Sequence, residues 1–478
     1  MKIFNKATLK PKFSTVDWKG GKHFMNKSIA PMEMIDFLCR NKQYQRMRQQ
    51  PLPAETFVDN RKRFVQHLPQ NAIAIFYSNE VVVRNGDQFY WPYRQNSEFY
   101  WLTGIQQENS YLILFPDAPL PEMREMLFVT ETNEHIATWE GYKLEMDEAR
   151  KLSGISTVHW SDKFEGMMRQ MMGYAGTCFL NTNENDRTPS FPQSFEHRMA
   201  AKIKSEFPLH SFGRASEILR KERSVHSHHE IEALKKAISL TKEGLLLAMK
   251  SIRPGMMEYE IEGLLQGYYV SKGAKGFSFE PIVAGGANAC VLHYVTNDRP
   301  LLDGDLLLLD HGTEYNMYCS DLTRCFPVNG TFTPRQKEVY NAVLRVMRQA
   351  RTLLHTGNSL NDYNSQAALI MEAELLSLGL ITQEDIKNQN PAWPAYKKYF
   401  PHGTGHFLGI DIHDIGERYS KLQPGMIITN EPGIYIKEEG IGIRIENDIL
   451  ITENGPVDLM ADFPIEVEEI EDIMKSGK

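Results

Sequence analysis

The run Leu306–Leu309, four leucines closed by Asp310, constrains this chain more than any other stretch. An apolar run this short and unbroken reads as a strand buried on both faces. It ends on a carboxylate, and a second, Asp321, follows after a short turn within LLLLDHGTEYNMYCSD. An ionised carboxylate is costly to bury unless a cation or hydrogen bonds receive it. Two such groups close together repel, and one would stay protonated. A pair of divalent cations would remove that conflict, provided the chain supplies further ligands.

Three later segments offer them. His406 lies in PHGTGHFLGIDIHD (401–414), Glu431 in TNEPGIYI (429–436) and Glu446 in GIGIRIEND (440–448). In the last segment Ile441, Ile443 and Ile445 share one face of a strand, which turns Arg444 and Glu446 together to the other. Four carboxylates and one imidazole form a hard, oxygen-rich set suited to Mn²⁺, with Zn²⁺, Co²⁺ or Fe²⁺ able to compete. Two ions about 3.5–4 Å apart can share carboxylates and a water. Such a water is acidic enough to supply hydroxide near neutral pH. Taken singly, each residue also has an ordinary reading. An Asp at a strand end is a cap or turn residue, a His in a glycine-rich loop is structural, and Glu before Pro-Gly marks a turn. Spacing and periodicity leave both readings open.

The chain has 478 residues, too many for one core, so two domains are expected. Its net charge is −8, but residues 1–50 carry +8 and the remainder −16. An acidic body argues against nucleic acid as a partner. The five cysteines, Cys39, Cys178, Cys290, Cys319 and Cys325, form no CxxC pair. That pattern points to a reducing compartment, without disulfides or a zinc–thiolate site. No run of 18 apolar residues occurs, so no membrane span is expected. The start lacks the apolar core of a secretory signal. A cytoplasmic protein is the expectation, with organelle targeting by the basic start as the lesser reading.

Residues 1–50 read as a basic extension, a flexible arm or docking segment. Residues 51–205 read as a mixed α/β domain, with strands at Ala72–Tyr77, Tyr111–Phe115, Met126–Thr130 and Thr177–Leu180. The aromatic stretch Tyr90–Gly104 reads as a packed hairpin, and Asn181–Pro192 as a loop. Residues 206–225 are the expected linker. Residues 226–470 form the second domain, with helices over His228–Met249, Glu258–Ser271, Arg335–Leu354 and Asp362–Ser377. Its strands are the buried Asp305–Asp310, a partner in Met317–Phe326, then Met426–Glu431 and Ile441–Ile451. Asn388–Phe400 is a Pro/aromatic loop, and 471–478 a tail. Strands dressed with helices give an α+β layer fold.

The ordered set DHGTEYNMYCSDLTRCFPVNGTFTPRQ, HGTGHFLGIDIHD, NEPGIY and GIRIEND resembles the aminopeptidase P (Xaa-Pro aminopeptidase) family of pita-bread metallopeptidases, over about residues 52–470. RNGDQFYWPYRQNSEFYWLTG resembles that family's N-terminal domain. The resemblance implies a pita-bread catalytic domain after a smaller α/β domain, and five metal ligands: Asp310, Asp321, His406, Glu431 and Glu446. In the family's pattern Asp321 and Glu446 bridge two manganese ions, Asp310 sits on one, and His406 and Glu431 on the other. It further implies a cleft containing His293, His402 and His413, and Arg444 steadying a carboxylate whose charge the metals share. Thr323 shares a strand face with Asp321 and is expected to hydrogen-bond the cluster. His311 points away from Asp310 by alternation and is expected to pack. Tyr100 is expected near the rim of a proline pocket. Cys319 and Cys325 flank Asp321 and are expected to make the site sensitive to oxidation.

The implied activity is hydrolysis of the first peptide bond of peptides with proline at position two. That bond has no N–H, which defeats peptidases that need the donor. A metal-bridging hydroxide would attack, the metals and an imidazole (His293 or His402) would hold the oxyanion, and Glu431 would shuttle the proton. A homodimer is expected, with the N-terminal domain closing the cleft or touching a neighbouring subunit. Three alternatives share the fold: a prolidase restricted to Xaa-Pro dipeptides, a binding module without catalysis, and a creatinase-like hydrolase without metal. The complete ligand set speaks against the last two.

Overall fold

The computed structural model describes residues 48–86, 89–182, 184 and 193–477. The basic extension lies outside these apart from its last three residues, as does most of the loop expected over 181–192. The four expected strands and two unexpected ones, Thr157–Trp160 and Ser211–Arg214, form a six-stranded mixed sheet in the order Thr157–Trp160, Glu125–Val129, Tyr111–Leu114, Ala72–Tyr77, Thr177–Leu180, Ser211–Arg214. Its central strand Ala72–Tyr77 is buried throughout. Ile73, Ile75 and Tyr77 pack one face against Phe164, Met168 and Met172, while Ala74 and Phe76 pack the other against Phe64 and Leu112. Both faces being covered explains the continuous apolar composition.

Three expectations are corrected here. Tyr90–Gly104 is not a hairpin: Ser97–Thr103 is a helix. Asn96 caps its start by accepting the Phe99 N–H, and Gly104 ends it in the left-handed region at φ 70°. Two caps and complete burial outweigh the strand preference of Phe99, Tyr100 and Trp101. The linker is folded. Ser211–Arg214 is an edge strand of the N-terminal sheet, and Ala215–Glu222 is a helix. Residues 471–476 of the expected tail are the second half of helix Val467–Ser476, which buries Met474.

The second domain places its carboxylates on short antiparallel sheets. Leu306–His311 lies between Ile282–Gly285 and Leu322–Pro327, with Asp310 opposite Thr323. Between the two aspartates a small hairpin pairs Thr313–Tyr315 with Tyr318–Cys319. Its two turn residues, Asn316 and Met317, sit at φ 49° and 68°, the paired positive values of a type I′ turn. Ile427–Asn430 pairs with Asn447–Thr452, and Gly433–Ile436 with Ile441–Arg444. The strand expected over 441–451 is thus broken between Arg444 and Asn447, and Glu446 stands in the break.

Helices surround these sheets. His228–Ser251 begins at a capping box in which Ser227 and Glu230 satisfy each other's backbone N–H groups. The same Glu230 carboxylate accepts the indole N–H of Trp101 at 3.0 Å and the Tyr318 hydroxyl at 2.7 Å. One residue thereby joins helix Ser97–Thr103, helix His228–Ser251 and the hairpin. Tyr100, expected at a pocket rim, is instead in this core, edge-on to Phe57.

Burial and neighbouring Glu98 push the carboxyl of Glu196 up to about 8. An unfolded glutamate ionises near 4.3, so the fold must hold that proton between the two values. A raised acid contributes stability that is whole below the unfolded value and lost as pH rises through 8. Glu196→Gln is therefore expected to raise the melting temperature at about pH 8.5 and to leave it nearly unchanged at about pH 5, measured by calorimetry.

Candidate metal centre

Three segments distant in sequence meet on the face of Asp310. The Arg444 guanidinium donates to Asp310 Oδ2 at 2.5 Å, to Thr323 Oγ1 at 3.1 Å and to the Tyr435 hydroxyl at 2.8 Å. Thr323 in turn donates to Glu446 Oε2 at 2.7 Å, as the strand alternation predicts. The Glu446 backbone N–H reaches the Thr323 carbonyl at 3.1 Å, which fixes the broken strand against Leu322–Pro327.

His406 arrives from the glycine-rich loop. Gly405 lies so close to the next strand that a Cβ would fall 2.1 Å from the Thr429 carbonyl oxygen, so only glycine admits this approach. His406 Nδ1 lies 2.9 Å from the Phe407 carbonyl. A carbonyl can only accept, so Nδ1 carries the proton and Nε2 presents its lone pair. Nε2 stands 3.5 Å from Asp321 Oδ2 and 3.5 Å from Glu431 Oε1. One ligand atom from each of Asp321, His406 and Glu446 lies within 4.8 Å of the other two, and all three side chains are buried. His311 points away, as expected, and bonds the Tyr269 hydroxyl.

The charge balance fits divalent metal. Asp310 Oδ1, Glu446 Oε1 and Asp448 Oδ1 are buried without a hydrogen-bond partner. Burial, then Asp310, pushes the Asp321 carboxyl well above the usual carboxylate range; burial, then Asp321 and Glu431, does the same to Glu446. Burial pushes Glu431 up to about 7 against the pull of His406 and Arg444. Buried acceptor oxygens, mutual repulsion and the His406 imidazole form a donor set suited to divalent cations.

The other expected residues surround this cluster. His402 Nδ1 bonds the Gly403 carbonyl at 2.7 Å and Nε2 the Tyr435 hydroxyl at 2.8 Å. Burial, then Arg444, holds its imidazole down at about 3, so it is neutral. His293 is exposed and close enough for its charge to oppose one on His402. The ring of His413 stands edge-on to that of His406 at 4.4 Å. The expected oxidation sensitivity is corrected: burial raises the thiol of Cys319 well above its usual value and pushes Cys325 up to about 12, which suppresses the reactive thiolate.

Two participants escaped the sequence reading. Asp448 is fully buried and accepts the Asp321 backbone N–H at 3.3 Å. The alternation that pairs Arg444 with Glu446 extends to Asp448 and would have found it. Tyr435, linking Arg444 to His402, carries no such signal, because an aromatic in NEPGIY reads as packing.

The profile of metallopeptidase family M24 matches residues 232–453, and that of the aminopeptidase P N-terminal domain residues 57–179. The Xaa-Pro aminopeptidase of Haemophilus influenzae is 34% identical over 442 residues, spanning 88% of this chain and 98% of that protein. The Xaa-Pro dipeptidase of Rattus norvegicus is 30% identical over 478 residues, spanning 88% and 94%. Among solved structures, Pseudomonas aeruginosa aminopeptidase PepP superposes with a TM-score of 0.80 at 30% identity, covering 89% of this chain and 99% of that one.

Thr323 carries the bond between Arg444 and Glu446, so Thr323→Val removes both hydrogen bonds at nearly constant volume. Folding stability is expected to fall by about 1–3 kcal/mol. Divalent-metal affinity is expected to fall about 10- to 100-fold, measured by titration calorimetry.

Proposed function

This chain belongs to the aminopeptidase P group of metallopeptidase family M24, and from that membership we propose that it is a metal-dependent Xaa-Pro aminopeptidase that releases the first residue of peptides with proline at position two. The observation that carries this reading is the convergence of Asp321, His406 and Glu446 beside the unpartnered oxygens of Asp310 and Glu446. Asp310, Asp321, His406, Glu431 and Glu446 would hold two divalent ions. Manganese is favoured for so oxygen-rich a set, with zinc, cobalt or iron as competitors. Bound there, such ions make water a nucleophile near neutral pH and draw charge from the scissile carbonyl.

The chain's own groups supply the rest. Attack on the carbonyl carbon breaks the bond to the prolyl nitrogen, which needs a proton. Glu431 takes the water's proton on a carboxylate oxygen and passes it to that nitrogen. The exposed His293 and His413 line the cleft and donate to the peptide's oxygens, while neutral His402, whose one N–H goes to the Gly403 carbonyl and whose Nε2 accepts from Tyr435, shapes the wall beside them. Arg444 keeps Asp310 and Thr323 in place. The same carboxylates receive the substrate's free α-ammonium, which confines cleavage to the first bond. Nothing in this scheme needs an N–H at the cleaved bond, so proline is acceptable where other peptidases fail.

The reading divides the chain into an N-terminal α/β domain and a catalytic domain from about residue 226. A cytoplasmic setting is supported by four unpaired cysteines among the described residues. Among those residues no helix is long and apolar enough to cross a membrane. The exposed Val82, Val83 and Trp91 support a homodimer.

A peptide panel tests the substrate. Arg-Pro-Pro and longer Xaa-Pro peptides are expected to be cut with release of the first residue, and Ala-Pro more slowly. Hydrolysis of dipeptides alone would move the assignment to the dipeptidase, the specificity of the rat relative's name. Metal analysis after Mn²⁺ loading is expected to give about two ions per chain, and Asp321→Ala is expected to lose both metal and hydrolysis. A wild-type chain that takes up no metal and cuts no peptide would point to a binding module.

A further inference from the structure

We propose that Arg94, from the N-terminal domain, is a positioning residue that sets His413 in the catalytic cleft of its own chain. This rests on the reading of His413 as a group that touches the peptide.

Arg94 directs most of its hydrogen bonds out of its own domain. Nε donates to Glu314 Oε2 at 2.6 Å, Nη1 to Asp411 Oδ1 at 3.1 Å, and Nη2 to the carbonyls of Met317 at 3.3 Å and of Ile410. Its one local bond is from Nη1 to Ser97 Oγ at 3.2 Å, and Ser97 donates onward to Asp411 Oδ1 at 2.7 Å. Glu314 and Met317 belong to the hairpin that separates Asp310 from Asp321. Ile410 and Asp411 open the turn that carries His413. A single guanidinium therefore ties the spacer between two proposed ligands to the segment bearing a cleft imidazole.

The far side of that turn is tied in the same way. Arg223, fully buried, donates from Nη1 to Glu98 at 2.6 Å, from Nη2 to Asp411 Oδ2 at 2.6 Å and from Nε to Asp414 Oδ1 at 3.1 Å. Asp414 accepts the backbone N–H of Ile410 at 3.0 Å and of Ile415 at 2.7 Å. Although burial disfavours its charge, Arg223 and Arg94 hold the Asp411 carboxyl down at about 2. Asp411 and Asp414 bracket Ile412 and His413, so anchoring both aspartates fixes the arc between them. His413 is exposed, and its ring meets that of His406 at 4.4 Å. Holding the backbone on both sides of His413, by Arg94 together with Arg223, limits the positions its exposed side chain can take. The task suits arginine, whose rigid fork reaches several acceptors at once, where a lysine ammonium would reach one or two.

The test is a double-mutant cycle on the full chain loaded with Mn²⁺, read as kcat and KM on Arg-Pro-Pro. Arg94→Met is expected to lower kcat/KM about 10- to 100-fold, the scale of a misplaced cleft group. In the His413→Ala background the same change is expected to cost less than about twofold, because the group it positions is gone. Arg94→Lys should recover only part of the loss, since charge alone does not span the acceptors. Asp411→Asn, a partly exposed site, gives a second cycle independent of any folding defect in Arg94→Met. Equal losses in both backgrounds would show that Arg94 acts through general stability and would overturn the proposal. So would an Arg94→Met enzyme with wild-type kcat/KM, while leaving the proposed activity intact. A fully active His413→Ala enzyme would instead remove His413 from the cleft reading, and the proposal with it.

Discussion

The architecture depends on an unfavourable contact: carboxylates gathered in a buried space with too little positive charge to match them. Asp310 has Arg444, and Glu446 has the Thr323 hydroxyl, but one oxygen of each is left without a partner. Removing a single charge from water costs several kcal/mol even after relaxation, and like neighbours add to it. Such a cluster is tolerable only if cations join it or protons stay on it. The surroundings are built to hold it in either condition. Leu306–Leu309 anchors the first carboxylate in a fully apolar strand, and Thr323, opposite Asp310, fixes the third segment through side chain and backbone together. Stability elsewhere in the domain offsets the strain of the site.

From that cluster a hydrogen-bond chain sets the state of the nearest imidazole. Arg444 donates to the Tyr435 hydroxyl. The hydroxyl is left to donate its own proton to His402 Nε2, whose partner nitrogen already gives its proton to the Gly403 carbonyl. Each donor has one acceptor, so the tautomer is determined and a charge on His402 is disfavoured. Arg444 reinforces this directly, since a guanidinium nearby opposes a second cation. The residue that steadies Asp310 therefore also keeps His402 neutral. Aspartate and histidine are coupled through one arginine, not tuned separately.

How much of this the sequence discloses depends on whether the signal is local. A carboxylate closing four leucines is anomalous within its own pentapeptide, and so Asp310 is legible. Thr323 and Arg444 follow from strand alternation, which carries across three or four residues. Helix Ser97–Thr103 is illegible to the same method, because its aromatics favour a strand and only Asn96, Gly104 and complete burial reverse them. Ser211–Arg214 is polar and partly exposed, so it reads as linker; it is an edge strand because Thr177–Leu180 offers it a ladder. Cys319 and Cys325 sit where sequence suggests redox chemistry, but reactivity is set by solvent access, which no spacing reports. The long-range partners Asp448 and Tyr435 divide on the same principle: the first lies on an alternating face and the second does not.

The junction of the two domains sets a charged network beside the apolar cluster that runs through both. Arg94, Arg223, Glu98, Asp411 and Asp414 meet there, beside the shared carboxylate of Glu230. Buried ion pairs add little net stability over well-packed apolar groups, because desolvation cancels much of the attraction. What they add is direction: a guanidinium fork donates to its partners in one plane and at fixed distances. Any slide of one half against the other breaks several of these charged hydrogen bonds at once. The turn of His413 is fastened to the N-terminal half on one side and rests on His406 on the other. Registration between the halves is thereby transmitted to the proposed metal ligands, and the N-terminal domain takes part in the geometry of the cleft.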